Sequence, residues 1–444
     1  MSDNTSVHHK PLTWLDSRAC RVCLIILYAI LVLTPVVLAL TVGPRSAAPL
    51  YQLGRATALT GFAVLAFQVA LGSRLRCADR AFGLDRITQF HKSMAMVAGI
   101  LILAHPILLS FGMGSAHLFS FDTGWQVNLG KLGLLFLVGT ILFAVAVPIL
   151  HFDYQLWRLF HKGALLIVII GFIHSWLVGG DLSQTGMKTY WFVLLAVSLG
   201  SFTYRNAFVP LREKHRFNVR SVEPETYNTW TLTFEPGTKR LFRHRPGQFM
   251  FLTLLRNGRR TEEHPFTISS SPTQHGSITA TIKESGDFTR TIGETKPGDS
   301  ALVQAPFGRY SFLHDEPDRL LFIAGGVGIT PIMSMLRYLR DTGDTRPATL
   351  IYANRTERDI IFRNELANMP EHVKIVHVLS DAAPDWQGER GYVTEEIIKR
   401  HAGDTLSEAH IYLCGPPPMM RMVIRTLRSM AVSTSRIHYE RFAL

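Results

Sequence analysis

Cysteine is scarce in this chain, with four among 444 residues, at 20, 23, 77 and 414. That leaves no disulfide framework to organise a fold. Cys20 and Cys23 have the spacing of a redox or metal pair. They open an apolar run, however, and no second pair answers them, so they read as small buried residues. Charge is scarce too, at 18% of residues against 47% apolar. The basic excess of +12 sits largely beside apolar runs and marks no nucleic-acid partner. No apolar stretch precedes the first run, so no cleavable signal peptide is expected and that run serves as its own insertion signal.

What the chain has instead is six apolar runs, near residues 23–42, 51–72, 90–111, 129–150, 161–178 and 190–209. Each is long enough to cross a bilayer. Basic residues gather in alternate loops. Lys10, Arg18 and Arg21 precede the first run, and Arg74, Arg76, Arg80 and Arg86 lie between the second and third. Arg158 and Lys162 lie between the fourth and fifth, and Arg205, Arg212, Lys214 and Arg216 follow the sixth. The remaining loops hold little beyond Arg45 and Lys188. The positive-inside rule then expects an integral protein of a bacterial inner or plasma membrane, surrounded by lipid, with both termini cytoplasmic.

Four histidines stand inside these runs. His91 and His105 mark the ends of one stretch, His161 and His174 of another. The third and fifth runs cross in the same direction, so His91 and His161 share the inner level. His105 and His174 lie about 20 Å further out at 1.5 Å per residue. Imidazole is costly in hydrocarbon unless held, and a metal holds it well. Matched depths point to two bis-histidine haem irons, His91 with His161 and His105 with His174. Fourteen residues bring His91 and His105 to one helix face, whereas the thirteen-residue step from His161 to His174 ends about 140° off. A distortion near Gly163 or Gly171, or approach to the two haems from different sides, would reconcile this. Pro106 is expected to kink the third run. His117 and His151 are read as structural.

Arg55, one turn inside the outer end of the second run, needs an anion there; haem propionates, a small substrate and snorkelling to the interface are all open. Arg74 and Arg76 at its inner end suit inner-haem propionates or orientation alone.

After Pro210 the pattern becomes short alternating strands, near 217–221, 228–234, 249–255, 267–270, 277–282 and 301–304, which suggest a small antiparallel barrel. Strands near 320–324, 349–353, 373–379 and 411–414 then alternate with helices, as in a doubly wound parallel sheet. The turn Ala324-Gly325-Gly326-Val327-Gly328-Ile329-Thr330-Pro331 lets backbone approach a phosphate at a helix start. Three further motifs accompany it: His264-Pro265-Phe266-Thr267-Ile268-Ser269-Ser270, Lys283-Glu284-Ser285-Gly286-Asp287-Phe288-Thr289 and Cys414-Gly415-Pro416-Pro417-Pro418-Met419.

With these motifs in this order the chain resembles the ferric reductase and NADPH oxidase superfamily, from the first run to the C-terminus. The resemblance implies a six-helix, two-haem membrane domain over 1–210, an FAD-binding β-barrel over 211–314 and a NAD(P)H-binding α/β domain over 315–444. It assigns His264, Pro265, Phe266 and Thr267 to the flavin ring with Ser269 and Ser270 behind it, and Arg245 to the strand entering that site. Gly286 and Thr289 match the FAD pyrophosphate segment, and Gly326, Gly328, Thr330 and Pro331 the dinucleotide loop. Cys414, Gly415 and Pro416 match the segment beside the nicotinamide, and Glu440 and Phe442 the C-terminal segment whose aromatic shields the flavin. Ala443 and Leu444 follow Phe442, a departure from the family pattern.

The implied function is electron transfer from cytoplasmic NADPH through FAD and two b-type haems to an external acceptor, dioxygen giving superoxide or a chelated ferric or cupric ion. Arg55 matches the outer-pocket arginine of the superoxide-forming members, but Leu109 stands where they tend to carry a histidine. A haem-bearing anchor feeding a periplasmic redox partner is the rival reading. Asn354 and Arg355 end a strand without an acidic residue at the tip, which favours NADPH over NADH, although Arg355 could instead pair with Glu357. The sequence carries no signal for an oligomeric state.

Overall fold

In hydrocarbon every backbone N–H and C=O must be satisfied within its own segment, so long apolar runs form helices. A computed structural model of the chain describes residues 14–41, 48–113, 120–150, 154–238, 242–274 and 276–441. Lys10, Arg45, His117, His151 and Phe442 lie outside them. The chain divides into two compact units, Met1–Leu211 and Arg212–Leu444.

The first unit holds α1 (Arg18–Thr41), α2 (Pro49–Gly72), the short α3 (Arg76–Phe82), α4 (Leu84–Met113), α5 (Trp125–Leu150), α6 (Tyr154–Lys162), α7 (Ala164–Val178) and α8 (Thr185–Thr203). Six helical stretches among the described residues are long and apolar enough to cross a membrane. Side chains such as Ile25, Ile100, Leu135 and Leu142 are exposed on their outer faces, as lipid contact requires. Between α2 and α4 the packing is close. A Cβ on Gly61 would lie 2.8 Å from Ile102 Cγ1, and one on Gly54 would lie 3.0 Å from Leu109 Cδ2, which is the use of small residues at membrane helix contacts. α4 continues through Pro106.

The fifth span is two helices, not one. It breaks at Gly163, whose N–H turns back to the Phe160 carbonyl at 2.9 Å. His161 ends α6 while His174 sits on α7, so the thirteen-residue step is not made on one regular helix. The last span likewise runs on from α8 into a π-helical stretch, Tyr204–Glu213.

The second unit begins with β1 (His215–Thr226), β2 (Thr229–Pro236), β3 (Phe249–Arg256), β4 (Arg259–Arg260), β5 (His264–Thr267), β6 (Ile278–Lys283) and β7 (Ser300–Phe307), with the short α9 (Asp287–Arg290) before β7. Their order is β4-β3-β7-β1-β2-β6, with β5 also on β3. The expected barrel is therefore open. β5 pairs Thr267 with Phe249 and His264 with Leu252, so the strand expected at 267–270 is placed earlier, at 264–267. Past it the chain leaves the β3 ladder and turns to β6, which the Ser269 N–H (2.9 Å to Thr279 O) and the Ser270 hydroxyl (3.1 Å from Thr279 N) reach.

The remainder is β8 (Leu320–Gly325), α10 (Ile329–Thr342), β9 (Ala348–Asn354), α11 (Arg363–Ala367), β10 (Val373–Leu379), β11 (Glu389–Arg390), α12 (Glu395–Ala402), β12 (His410–Cys414), α13 (Pro417–Ser429) and β13 (Ile437–Glu440). All pairings are parallel, in the order β11-β10-β9-β8-β12-β13. The order reverses between β8 and β12. Ligands of such sheets bind outside the strand ends at that reversal, where both the glycine loop and Cys414-Gly415-Pro416 emerge.

Gly247, just before β3, has φ +91°, and a Cβ there would meet the Tyr310 carbonyl oxygen at 2.1 Å and Met335 Cε at 2.5 Å. Gly247→Ala is expected to destabilise this unit by on the order of 1–3 kcal/mol, read as a lowered thermal midpoint of the purified protein.

Candidate functional site

Two of the four histidines, His91 and His161, lie face to edge across the helices that carry them. At the inner level the His91 and His161 rings are 5.9 Å apart, centre to centre, and nearly perpendicular at 80°. Two imidazole nitrogens each about 2 Å from one metal, plus about 1 Å to each ring centre, give roughly 6 Å. Nδ1 of His161 is buried with no hydrogen-bond partner among the described residues, while His91 lies against the Gln68 backbone. Trp157 stacks on His161 at 4.9 Å. A cleft of about 290 Å³ lined by Leu135, Phe136, Phe143, Trp157 and Phe160 opens onto His161 and none of the other three.

At the outer level each ring is aimed from behind. His105 Nδ1 donates to the Gly54 carbonyl at 2.9 Å, and His174 Nδ1 to the Gln126 carbonyl at 2.8 Å. A carbonyl can only accept, so the Nδ1 proton is fixed and Nε2 keeps its lone pair, the arrangement that metal-ligating histidines use. Gly130 on α5 makes room for the His174 ring, since a Cβ there would lie 2.5 Å from its Cε1. The donor set thus fits two bis-imidazole sites.

Arg55 adjoins Gly54 on α2. Its guanidinium is held bidentately by Asp181, with Nε 3.0 Å from Oδ2 and Nη2 bonded to Oδ1, and Nη1 donates to Gln52 Oε1 at 2.8 Å. Arg55 and Asp181 are 8% and 6% exposed. Sequence reasoning asked for an anion here and missed this one, 126 residues away. Arg74 closes the inner end of α2 with φ +56°, and Arg76 begins α3.

In the second unit β5 carries His264, Pro265, Phe266 and Thr267. His264 stacks on Phe288 at 4.4 Å, Phe266 approaches the same ring at 6.1 Å, and Arg256 lies over it at 5.9 Å. Phe288 was not singled out from sequence, though it lies between Gly286 and Thr289. The Thr289 hydroxyl takes the N–H groups of Ser285 and Gly286 at 2.9 Å each, so this loop is closed by its own side chain. Thr267 Oγ1 is buried with no partner among the described residues, an atom suited to a bound polar ring. Ser269 and Ser270 turn inward: the Ser269 hydroxyl meets those of Thr279 (2.9 Å) and Thr281 (3.1 Å). Arg245 Nη1 lies 3.1 Å from His314 Nδ1. Burial pushes the pKa of neighbouring His244 down to about 4.

At the sheet reversal Gly328 abuts Cys414, where a Cβ would lie 2.3 Å from the Cys414 carbonyl oxygen, and a Cβ on Gly415 would lie 3.1 Å from Gly325 Cα. Gly326 has φ +52°. Thr330 donates to Val327 O at 3.0 Å, Pro331 is buried in the first turn of α10, and Pro416 caps α13. Glu440 pairs with Cys414 across β12 and β13, and its Oε1 would be 3.2 Å from a Cβ on Gly308. Burial, and secondarily Glu440, pushes the Cys414 thiol well above its ordinary range. It is a neutral wall, not a nucleophile. Asn354 ends β9 with both side-chain polar atoms buried and without partners among the described residues. Arg355 does not pair with Glu357, which is held by Arg363; it lies 3.6 Å from Asp381, an acid delivered by the end of β10.

Asp315, His410 and His438 also cluster. His410 Nδ1 and His438 Nε2 are 3.0 Å apart, with the rings nearly coplanar (16°) and their centres 5.1 Å apart. The N···N distance plus about 1 Å to each ring centre accounts for that spacing, so the nitrogens face each other in line as a hydrogen bond rather than converging on an ion.

Two outcomes follow. Asp181→Asn leaves a buried cation uncompensated and is expected to cost on the order of 3–5 kcal/mol, read as early thermal loss of the membrane unit, while the paired change Arg55→Met with Asp181→Leu recovers most of it. Gly328→Ala is expected to weaken dinucleotide binding at least tenfold in titration calorimetry and to leave FAD content unchanged.

Three family models match the chain: the ferric reductase like transmembrane component over residues 57–172, an FAD-binding domain over 215–300 and the oxidoreductase NAD-binding domain over 322–425. The glycine betaine monooxygenase reductase subunit of Chromohalobacter salexigens is 33% identical over 238 residues, 51% of this chain and 64% of that protein. The reductase component of propane 2-monooxygenase from Mycolicibacterium goodii is 28% identical over 53% of this chain and 69% of its own length. The chain therefore spans slightly less than two thirds of the first of these relatives. The crystal structure of flavohemoglobin from Malassezia yamatoensis aligns with a TM-score of 0.51 at 16% identity, covering 88% of this chain and 99% of that one, a likeness of fold alone. By the order of its three matched domains and its six apolar helices, this integral membrane protein belongs to the ferric reductase and NADPH oxidase superfamily and joins a transmembrane domain to FAD-binding and NAD-binding domains.

Proposed function

We propose that the chain carries electrons from a cytoplasmic nicotinamide dinucleotide, NADPH in preference to NADH, across the membrane to an acceptor on the outer side. The observation that carries this reading is the pairing of four membrane-embedded histidines at two depths. His91 and His161 would hold an inner haem and His105 and His174 an outer one. When bound, FAD would accept one hydride, that is two electrons, and haem irons held by these histidines would take electrons one at a time. The chain's own residues supply position and insulation. Gly54 and Gln126 orient the outer imidazoles, and Gly130 keeps the His174 ring in place. The loop from Gly326 to Pro331 and the Cys414-Gly415-Pro416 segment bring the dinucleotide to the sheet reversal. The partner-free Thr267 hydroxyl would meet the flavin, and the resemblance assigns Phe442 to cover it. Arg355, exposed and 3.6 Å from Asp381, is the group offered to a 2′-phosphate.

The acceptor we favour is dioxygen, giving superoxide. The Arg55–Asp181 pair carries no net charge, so it offers no attraction to an anionic ferric chelate. A second reading, reduction of chelated ferric or cupric ion, is supported by the apolar Leu109 packed on Gly54. Both termini are assigned to the cytoplasm from the alternation of basic loops.

In a reduced-minus-oxidised spectrum of the purified protein, wild type is expected to show two haems, and His105→Ala and His161→Ala one each. Retention of both by either variant would sink the assignment. NADPH oxidation in proteoliposomes, with superoxide dismutase or with a ferric chelate, separates the acceptors. Chelate reduction far outrunning superoxide release would replace dioxygen as the acceptor.

A further inference from the structure

We propose that Arg337 is a positioning residue which, with Ser334, sets the flavin ring against the nicotinamide by tying α10 to the stretch that follows the flavin-binding strand. The inference rests on the functional reading above and adds a residue pair to it.

α10 starts at the dinucleotide loop, so its position follows that of the bound nicotinamide half. Ser334 and Arg337 are three residues apart and share one helix face. The Ser334 hydroxyl donates to the Ser270 carbonyl at 2.7 Å, and Arg337 Nη1 donates to the Ser269 carbonyl at 2.7 Å. Ser269 and Ser270 are fully buried, as is Ser334. Their hydroxyls and the Ser269 amide already face β6. The two serines are thus fixed to the antiparallel sheet on one side and to α10 on the other. Thr267 lies two residues upstream of them. One rigid helix therefore joins the flavin strand to the loop that carries the other reactant.

The guanidinium is itself locked. Glu365 takes Arg337 Nε at 2.9 Å and Nη2 at 2.5 Å, and the Phe362 ring stacks 4.7 Å below it. Phe362 sits at φ +60°, a conformation unfavourable for a bulky residue that persists where the surroundings enforce it. Arg340 also binds Glu365, at 2.8 Å. An ordinary surface ion pair would show none of this, and Arg337 is only 12% exposed. Lysine cannot reproduce a fork that binds one carboxylate and one carbonyl at once. Other bonds between the two sheets, such as Tyr227 to Asp359 at 2.9 Å, lie at the exposed rim. They would keep the sheets together without Arg337 while leaving the angle between them loose. Hydride transfer is sensitive to displacements of about 1 Å, which can cost around a hundredfold in rate.

The test uses the full-length protein loaded with FAD, rapid mixing with NADPH, and wild type beside Arg337→Lys, Arg337→Ala, Ser334→Ala and the rim variant Tyr227→Phe. Flavin reduction is expected to slow at least tenfold in Arg337→Ala and several-fold in Arg337→Lys and Ser334→Ala. The NADPH dissociation constant and FAD occupancy should stay within twofold, the long-wavelength flavin–nicotinamide charge-transfer band should weaken, and Tyr227→Phe should behave as wild type. Unchanged reduction rates in the Arg337 and Ser334 variants, or losses wholly accounted for by missing FAD, would overturn the inference alone. A wild-type flavin that NADPH fails to reduce would overturn the functional reading and this inference with it.

Discussion

A polar atom enclosed by apolar surroundings is costly without a partner, and that cost shapes both units. In the membrane unit it fixes the outer imidazoles: the Gly54 and Gln126 carbonyls take the Nδ1 protons of His105 and His174, which leaves one nitrogen of each ring able to bind a metal. The same constraint brings Asp181 to Arg55, because a lone cation among these helices would be far more costly than a pair. α2 thus supplies, from adjacent residues, the carbonyl that orients His105 and the cation that Asp181 neutralises.

The second unit meets the constraint with hydroxyls. Ser269, Thr281 and Thr231 form a buried chain that ends on Glu225 Oε1, and burial raises the pKa of that carboxyl. Where hydroxyls are absent, glycine removes the difficulty by letting backbone meet backbone, as at Gly328 against Cys414 and Gly415 against Gly325. Side chains at those positions would hold the two strand ends apart just where the sheet order reverses.

Much of this was legible in the sequence, for reasons that can be located. Apolar length marked the spans, and alternation with helices marked the parallel strands. The pairing of His91 with His161 followed from counting residues along two apolar runs. Contacts between distant segments were not legible. Asp181 lies in a loop with no periodic signal, and Asp381 reaches Arg355 only because β10 lies beside β9. The antiparallel sheet was misjudged as closed because the chain from Thr267 to Ser270 has strand composition throughout. Register against β3 assigns only its first residue to the ladder, and composition carries no register. The thirteen-residue step from His161 to His174 was a legible misfit, but the turn at Gly163 that interrupts it needed coordinates.

That turn separates two settings that a continuous helix would have to share. On one unbroken rod, any residue gained or lost between the histidines would swing both ligands relative to each other by about 100°. With the rod divided, the length of the α6–Gly163 joint fixes the azimuth of the inner imidazole, and the packing of α7 on α5 fixes that of the outer one. His161 and His174 can therefore be shifted separately, each against its own neighbours, without a change at one turning the ring of the other.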